Sequence, residues 1–485
     1  MADFPSPFAS SALSPIRVAP GGRYFETFDG EPFLFIGPND ALPWPGLAGL
    51  FRQKDLAAVD EYLAGLAQSG VTVLRLMLEY THREHRYFEK PVGRFVPAMV
   101  RLWDDLFAAC ARHGLRILLA PWDNFWMARR WHRHPYNRVN GGPAEGPHSF
   151  FTDEATIAAT INRFRFVIER WGGDGVIAAW DLFNEIDPYW GGGPEEQGRV
   201  IARVSNAIRE AEQKTWGFTR PQTVSIFGPD PDTNGYGDLI FRHPWLDFTT
   251  THVYHHSAID YPRDTVTPAL VMARWVRHAL DRTPPDQPYT DTEHGPIHAF
   301  NDHRKILPEA FDDEYERHLM WAHLATGGAG GGMRWPARHP HLLTAGMKRA
   351  LRDLSDFARL VDWRHFAPRD ALPNVLLEGD GTETVHVFGC RDEEQAILWL
   401  LRGLPHAGFR GQLPAGREPL VGLRLRLRGG LRSGDYQVSV WDTVRGRTML
   451  SVSVHAGDEG LFVMLPPLAA DLALAVRPAE QRRAA

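Results

Sequence analysis

Residues 180–186 read Trp180, Asp181, Leu182, Phe183, Asn184, Glu185 and Ile186, and they follow an apolar run, Val176 to Ala179, of the kind that makes a buried strand. A second carboxylate, Glu293, closes another strand-like segment, Pro288, Tyr289, Thr290, Asp291, Thr292, Glu293. Two carboxyl groups delivered by two strand ends to one face are equipped to break a glycosidic bond, one arriving ionised and the other protonated. Side chains alternate along a strand. On that basis Arg75, His252, Tyr254, Glu185 and Glu293 are expected to converge on one cavity mouth from four strands. Arg75 beside Glu293 would favour its ionised form, and Tyr254 could donate to the same carboxylate. Glu185 has apolar neighbours and no Lys or Arg close in sequence, so it is the carboxyl expected to hold its proton. Asn184 is suited to bond a sugar 2-hydroxyl. Asp181 and Asp291, two residues deeper, are read as a polar layer beneath the site, paired with Arg75.

The elements that must position these groups alternate along the chain. Strand-like runs at 33–37, 71–78, 115–120, 176–183, 223–227, 247–254, 288–292 and 330–334 are separated by helical spacings at 55–69, 97–113, 153–171, 194–214, 267–281, 312–326 and 344–361. Gly70 and Gly114 stand where two of these helices should stop. The segment 230–241 is turn-rich and holds at most a short helix. Eight strands alternating with helices predict a closed parallel (β/α)8 barrel of α/β class, with its chemistry at the C-terminal strand ends. After Trp363 the texture changes to short runs divided by Gly, Asp and Pro, which predicts an all-β sandwich. The expected division is a catalytic barrel over 1–365 and an accessory β-sandwich over 366–480.

A chain of 485 residues, 44% hydrophobic, is long enough for both units. Net charge is −6, which gives no reason to expect nucleic acid. Cys110 and Cys390 are the only cysteines and argue against a disulfide framework or a Cys-based zinc site. No basic, then apolar, leader opens the sequence and no run of eighteen apolar residues occurs, so the expectation is a cytoplasmic protein with no membrane partner. His255, His256, His294 and His298 cluster near strand ends but form no compact metal motif; no metal and no cofactor are expected.

The set Asn184-Glu185, His252-x-Tyr254, Glu293, Arg75 and Trp335, in order at successive strand ends, resembles clan A glycoside hydrolases, the retaining (β/α)8 enzymes of the family 5 type, over residues 20–365. The resemblance implies Glu185 as acid/base, Glu293 as nucleophile, Tyr254 as the group orienting the nucleophile and Trp335 as the floor of the −1 subsite. Many cellulase-like members carry a His after strand three. Here the segment is Ala120, Pro121, Trp122, Asp123, Asn124, Phe125, Trp126, closer to mannanase-like members, which places Trp122 and Asn124 among the expected substrate-binding residues with Arg75, Asn184, His252, Tyr254 and Trp335.

The stretch 125–149 is long and rich in Arg, His and Trp. It is read as a loop that walls off one end of the cleft, which would make the enzyme exo-acting. Trp44, Trp126 and Trp190 also follow strands and are candidates for lining sugar subsites. The expected function is retaining hydrolysis of a β-linked glycoside or oligosaccharide, with a carbohydrate substrate as the partner. Two rivals use the same residues: a transglycosylase with a sugar acceptor in place of water, and a catalytically silent carbohydrate-binding barrel.

Overall fold

The computed structural model describes residues 13–39, 55–79, 87–255, 264–296, 307–335, 343–370, 372–403 and 418–479. Eight parallel strands form the barrel: β1 (Phe35–Ile36), β2 (Val73–Met77), β3 (Arg116–Ala120), β4 (Ile177–Asp181), β5 (Gln222–Thr223), β6 (His252–Tyr254), β7 (Glu293–Gly295) and β8 (Gly330–Gly332). Ladders join β2 to β5 in order, β6 to β7, and β8 to β1. The ring closes through single bridges, Asn39 to Arg75, Thr249 to Tyr289 and His294 to Arg334, and through the Asp247 amide on the Gln222 carbonyl at 2.8 Å. Gly-rich β8 has a steric reason: a Cβ on Gly330 would lie 2.0 Å from the Phe35 carbonyl oxygen, so the approach to β1 requires glycine there.

The helices fall where the apolar spacing predicts them: α1 (Leu56–Gln68), α2 (Pro97–Arg112), α3 (Glu154–Trp171), α4 (Gly193–Trp216), α5 (Gly237–Phe241), α6 (Val266–Arg282), α7 (Glu309–Ala325) and α8 (Ala345–Ala358). Asp153 caps α3 by accepting from the Thr156 amide at 2.8 Å, and Thr344 caps α8 through Met347 at 3.1 Å. A three-stranded antiparallel sheet, Ile16–Val18, Phe25–Thr27 and Pro32–Phe33, precedes the barrel and was not foreseen. Its Phe25 stacks on Phe35 at 4.5 Å and meets Phe248 edge-on at 5.3 Å. Both partners sit at N-terminal strand ends, so this sheet plugs the end of the barrel away from the strand C-termini.

The C-terminal region is a β-sandwich. Strands β9 (Val375–Glu378), β10 (Val385–Arg391), β11 (Ala396–Arg402), β12 (Arg424–Leu427), β13 (Gly434–Asp442), β14 (Arg447–Ala456), β15 (Leu461–Met464) and β16 (Asp471–Pro478) form two antiparallel sheets. Strand β11 is buried on both faces. Leu398 and Leu400 enter the sandwich core with Val438, Leu425 and Val463, while Ile397, Trp399 and Leu401 belong to the core shared with the barrel. Trp399 and Trp441 are therefore packing residues rather than an exposed sugar platform. Arg317 of α7 reaches Asp471 at 2.9 Å across this junction. Cys110 and Cys390 are buried free thiols. Among the described residues no helix is long and apolar enough to cross a membrane.

Candidate active site

Arg75 rises from β2 into the barrel axis with no exposed surface and organises the strand ends around it. Its Nη2 donates to Asp181 Oδ2 at 2.5 Å, Asn184 Oδ1 at 2.6 Å and Ser225 Oγ at 3.3 Å. Its Nη1 donates to Glu293 Oε2 at 2.8 Å and Asn39 Oδ1 at 3.2 Å. The Asn39 amide in turn donates to Glu293 Oε2 at 2.8 Å, and the Tyr254 hydroxyl donates to Glu293 Oε1. Glu293, on β7, is thus held at both oxygens by three donors from β6, β2 and the turn after β1. Asp181 is the deeper polar partner of Arg75 that the sequence implied. Asp291 is not: its Oδ2 lies 2.5 Å from His294 Nδ1.

Glu185 is placed differently from the strand register expected of it. The β4 ladder ends at Asp181, the chain bends at Leu182 and Phe183 and rejoins the neighbouring strand end through a bridge from Asn184 to Asp123, so simple alternation does not carry through to Glu185. Its backbone adopts φ of 54°, the only positive φ at a non-glycine position among the described residues. A side chain there is strained, and the surroundings must hold it. They do: the Glu185 amide donates to Ser225 Oγ at 3.1 Å, and Oε1 lies 2.6 Å from His252 Nδ1. The neighbouring Asn184 accepts from Arg75 and donates to Asp123 Oδ1 at 3.1 Å.

One carboxylate oxygen of Glu185, one of Glu293 and a ring nitrogen of His252 all lie within 4.8 Å of each other. Burial pushes Glu185 well above the usual carboxylate range, and the Glu293 charge adds to it against the pull of Arg75. Burial also raises Glu293, opposed by Arg75, Tyr254 and Asn39, so the expected lowering by Arg75 is outweighed by desolvation. The pair still separates in the expected sense, because Glu293 has the arginine and two further donors in contact while Glu185 has only the imidazole. That imidazole is neutral: burial and then Arg75 hold His252 well below its ordinary value. Burial lifts Asp123 to about 7.

The spacing of Glu185, His252 and Glu293 would suit a metal triad, but Arg75, Asn39 and Tyr254 already occupy both Glu293 oxygens. A second group, Asp230, Asp232 and His278, lies nearer the surface, where Asp232 pairs with Arg282 at 2.7 Å.

Of the residues expected to touch a substrate, the structure divides the set. Tyr254 and Trp335 are half-buried and open toward the strand ends. Asn184 is 3% exposed, whereas Arg75 and His252 are fully enclosed and act on the carboxylates rather than on the cavity surface. Trp122 and Asn124 are both enclosed. Trp122 is fully buried, with the Arg163 guanidinium 3.7 Å over its ring and Tyr136 and Phe150 against it edge-on, so no ring face remains for a sugar. Asn124 opens a short helix, Asn124–Arg130, with its side chain turned inward and fully enclosed. Trp190 is buried as well, while Trp126 is half-buried. Trp44, His256 and His298 fall outside the described residues.

Three residues went unread in the sequence. Asn39 follows β1 after Gly37 and Pro38, Asp123 follows β3 and Ser225 follows β5. Each stands just past a strand end, and that position was the available signal. The long segment 125–149 is also not structureless. It contains the Asn124–Arg130 helix and three single 3₁₀ turns, and Trp131, His134 and Tyr136 within it are buried.

With this geometry in hand, known proteins can be compared. No family model matches the chain. A probable mannan endo-1,4-beta-mannosidase A from Aspergillus oryzae is 26% identical over 278 residues, covering 52% of this chain and 66% of that protein. The chain thus spans 66% of the length of the curated relatives it matches. Among solved structures, a glycoside hydrolase family 5 protein from Bacteroides vulgatus superposes with a TM-score of 0.61 at 12% identity, covering 97% of this chain and 94% of that one. A glycoside hydrolase family 5 mannosidase from Rhizomucor miehei gives a TM-score of 0.51 at 15% identity, over 67% of this chain and 86% of its own. The fold is that of these solved family 5 glycoside hydrolases.

Proposed function

We propose that this chain is a retaining β-glycoside hydrolase acting on β-mannosides or short β-linked manno-oligosaccharides. The observation that carries the reading is the approach of a Glu185 oxygen to within 4.8 Å of a Glu293 oxygen. Retaining enzymes separate their carboxyls by about 5–5.5 Å, whereas inverting ones need about 6.5–9.5 Å to admit a water. The manno preference is supported by the names of the relatives above and by nothing in the pocket itself.

In this reading Glu293, the member of the pair that ionises first, attacks the anomeric carbon as the carboxylate. The bond to the leaving oxygen breaks as Glu185 delivers its proton there, and an ester between sugar and Glu293 forms. Glu185, now ionised, takes a proton from water as that water attacks the same carbon and frees Glu293. Arg75, Asn39 and Tyr254 hold the nucleophile's orientation. With the ring hydrogen of His252 on Nδ1, the imidazole donates to Glu185 Oε1 and leaves Oε2 to carry the acidic hydrogen into the cleft. The buried, unpartnered His252 Nε2 accords with that tautomer, since it then has no hydrogen to place. Asn184 remains positioned by Arg75 and Asp123 to offer its second amide hydrogen to a sugar hydroxyl. Residues 1–365 are the catalytic unit in this proposal and 366–480 an accessory one. The buried anchors of the segment 125–149 support a fixed wall and chain-end action.

A panel of aryl β-glycosides (manno, gluco, galacto, xylo) followed by NMR tests the reading. The first-formed sugar is expected in the β configuration. Glu293→Ala should lose about 10⁴-fold or more in turnover and give an α-glycosyl azide when azide is added. A first-formed α product, or sugar binding without turnover across the panel, overturns it; product only with an added sugar acceptor marks a transglycosylase. On a manno-oligosaccharide, mannose alone among early products marks chain-end cleavage, and a ladder marks internal cleavage.

A further inference from the structure

An aromatic row runs outward from the site. Tyr254, whose hydroxyl engages Glu293, stacks with Phe227 at a centroid distance of 6.0 Å and 28° between planes. Phe227 stacks with Phe125 at 6.1 Å and 16°, and Trp126 meets Phe125 edge-on at 5.3 Å. Arg129 lies 5.3 Å over the Phe125 ring. Phe227 is 54% exposed, unusual for a phenylalanine already in contact with two other rings. The phenylalanines bring no hydrogen-bonding group, so what they offer a ligand is a flat apolar face.

The position of the row in the barrel assigns its side of the cleft. Phe227 lies two residues beyond Ser225, which receives the Glu185 amide and whose carbonyl accepts from the Ile186 amide at 3.0 Å. Phe125 follows β3, on the other flank of β4. The row therefore spans the strand ends beside Glu185, the group that protonates the departing oxygen. The departing oxygen must sit at the Glu185 carboxyl that protonates it, so the leaving group extends over the ends of β4 and β5, where Phe227 stands.

Resting on the hydrolase reading above, we propose that Phe227, backed by Phe125, is the leaving-group platform, selecting substrates whose aglycone presents a flat apolar face. Such a face can come from the CH-rich side of a pyranose or from an aryl ring, and aromatic stacking serves both. Phe227 is a specificity-determining residue that touches the aglycone and takes no part in bond breaking.

The test uses the full chain and three leaving groups on whichever glycone the aryl panel selects: fluoride, which has no face, 4-nitrophenol, and a second β-linked sugar. For Phe227→Ala and Phe227→Leu, kcat/KM is expected to fall about 10-fold further for the nitrophenyl glycoside or the disaccharide than for the fluoride, with Phe227→Tyr restoring it. Leu keeps apolar bulk but not the flat face, so equal loss in Ala and Leu identifies stacking. Which of the two faced substrates suffers more identifies the natural aglycone as aryl or sugar. Equal losses for all three leaving groups, or none, overturn the platform while leaving the hydrolase reading intact, because fluoride turnover by the unmodified protein reports that reading separately. Failure of the unmodified protein on the fluoride as well removes both.

Discussion

Arg75 and Arg163 are both buried in this barrel and each clamped by two carboxylates, but only Arg75 borders the candidate site. Arg163 of α3 donates to Glu79 at 2.8 Å, Glu89 at 2.6 Å and the Pro121 carbonyl at 3.2 Å. Its carboxylates are further satisfied by backbone amides, Phe88 to Glu79 at 2.8 Å and Gly93 to Glu89 at 2.6 Å, with the Tyr136 hydroxyl on Glu89 at 3.1 Å and His134 3.3 Å from Glu79. The donors outweigh desolvation and bring Glu79 down to about 2. Arg75 has comparable contacts with Asp181 and Glu293, yet Glu293 is raised. Burial outweighs the donors at Glu293, and it is Glu185, facing it with no cation of its own in contact, that is raised furthest by burial and then by the Glu293 charge. A saturated knot is structural; one left with a surplus acid, opening onto the strand ends, can move a proton.

Breaking each knot should expose the contrast most sharply. Arg75→Met is expected to lower kcat/KM by about 10²–10³-fold, since it removes the donor that orients and charges Glu293. Arg163→Met should instead cost about 3–5 kcal/mol of stability by stranding Glu79 and Glu89, with kcat/KM per folded molecule within about threefold of the unmodified protein. Paired kinetics and denaturant titrations of the two variants check this. Equal kinetic losses would mean that the segment 125–149, which Arg163 anchors through His134 and Tyr136, shapes the cleft directly.

Acid provides the next test. The folded carboxyl of Glu79 sits below its unfolded value, so its contribution is fully present above about pH 4.5 and is lost as pH falls toward about 2. That contribution is of order 3 kcal/mol. Glu79→Gln should therefore be destabilising at pH 7, with the difference from the unmodified protein shrinking on acidification; a difference independent of pH in urea titrations would contradict the assignment.

Glu185 should give a stability effect of opposite sign. Its folded carboxyl is raised, so ionisation of the unfolded chain penalises folding increasingly as pH climbs above about 4.3. Glu185→Gln is expected to stabilise the protein, more at pH 8 than at pH 4, while losing the basic limb of the kcat/KM profile. Thermal scans at the two pH values check the sign.

Much of this fold was legible because it is local. The helical spacings, the glycine stops and the eight apolar strand runs lie within ten to twenty residues of sequence, and the alternation of the two fixes a parallel barrel. The sandwich strands announced themselves by short runs between turn residues. Register was less legible. The seventh run was read at 288–292, yet the ladder forms at Glu293–Gly295, with Tyr289 contributing only a bridge. A continuous apolar and polar mixture does not mark where pairing begins. The N-terminal sheet, only two or three residues per strand, lies below what periodicity can show.

The site divided along the same line. Glu185, Glu293, Arg75, Asn184, His252 and Tyr254 stand at successive strand ends, a pattern a sequence displays, and the structure brings them together. Trp122 and Asn124 belong to the same pattern and are fully enclosed in the structure, because the next helix and turns fold over them. Asn39, Asp123 and Ser225 look unremarkable in one dimension and became visible only as the partners of Arg75, Asn184 and Glu185.

The order of strands and helices and the candidate acids at the strand ends were therefore written in the chain, since hydrophobic periodicity and residue type are properties of neighbours in sequence. Which acid keeps its proton, which aromatic rings stay open, and how far apart the two carboxylates stand were decided by the closed barrel alone. Desolvation, charge proximity and ring stacking depend on distances between residues far apart in the chain, from the 36 positions between Asn39 and Arg75 to the 254 between Asn39 and Glu293, and only the tertiary fold sets those distances.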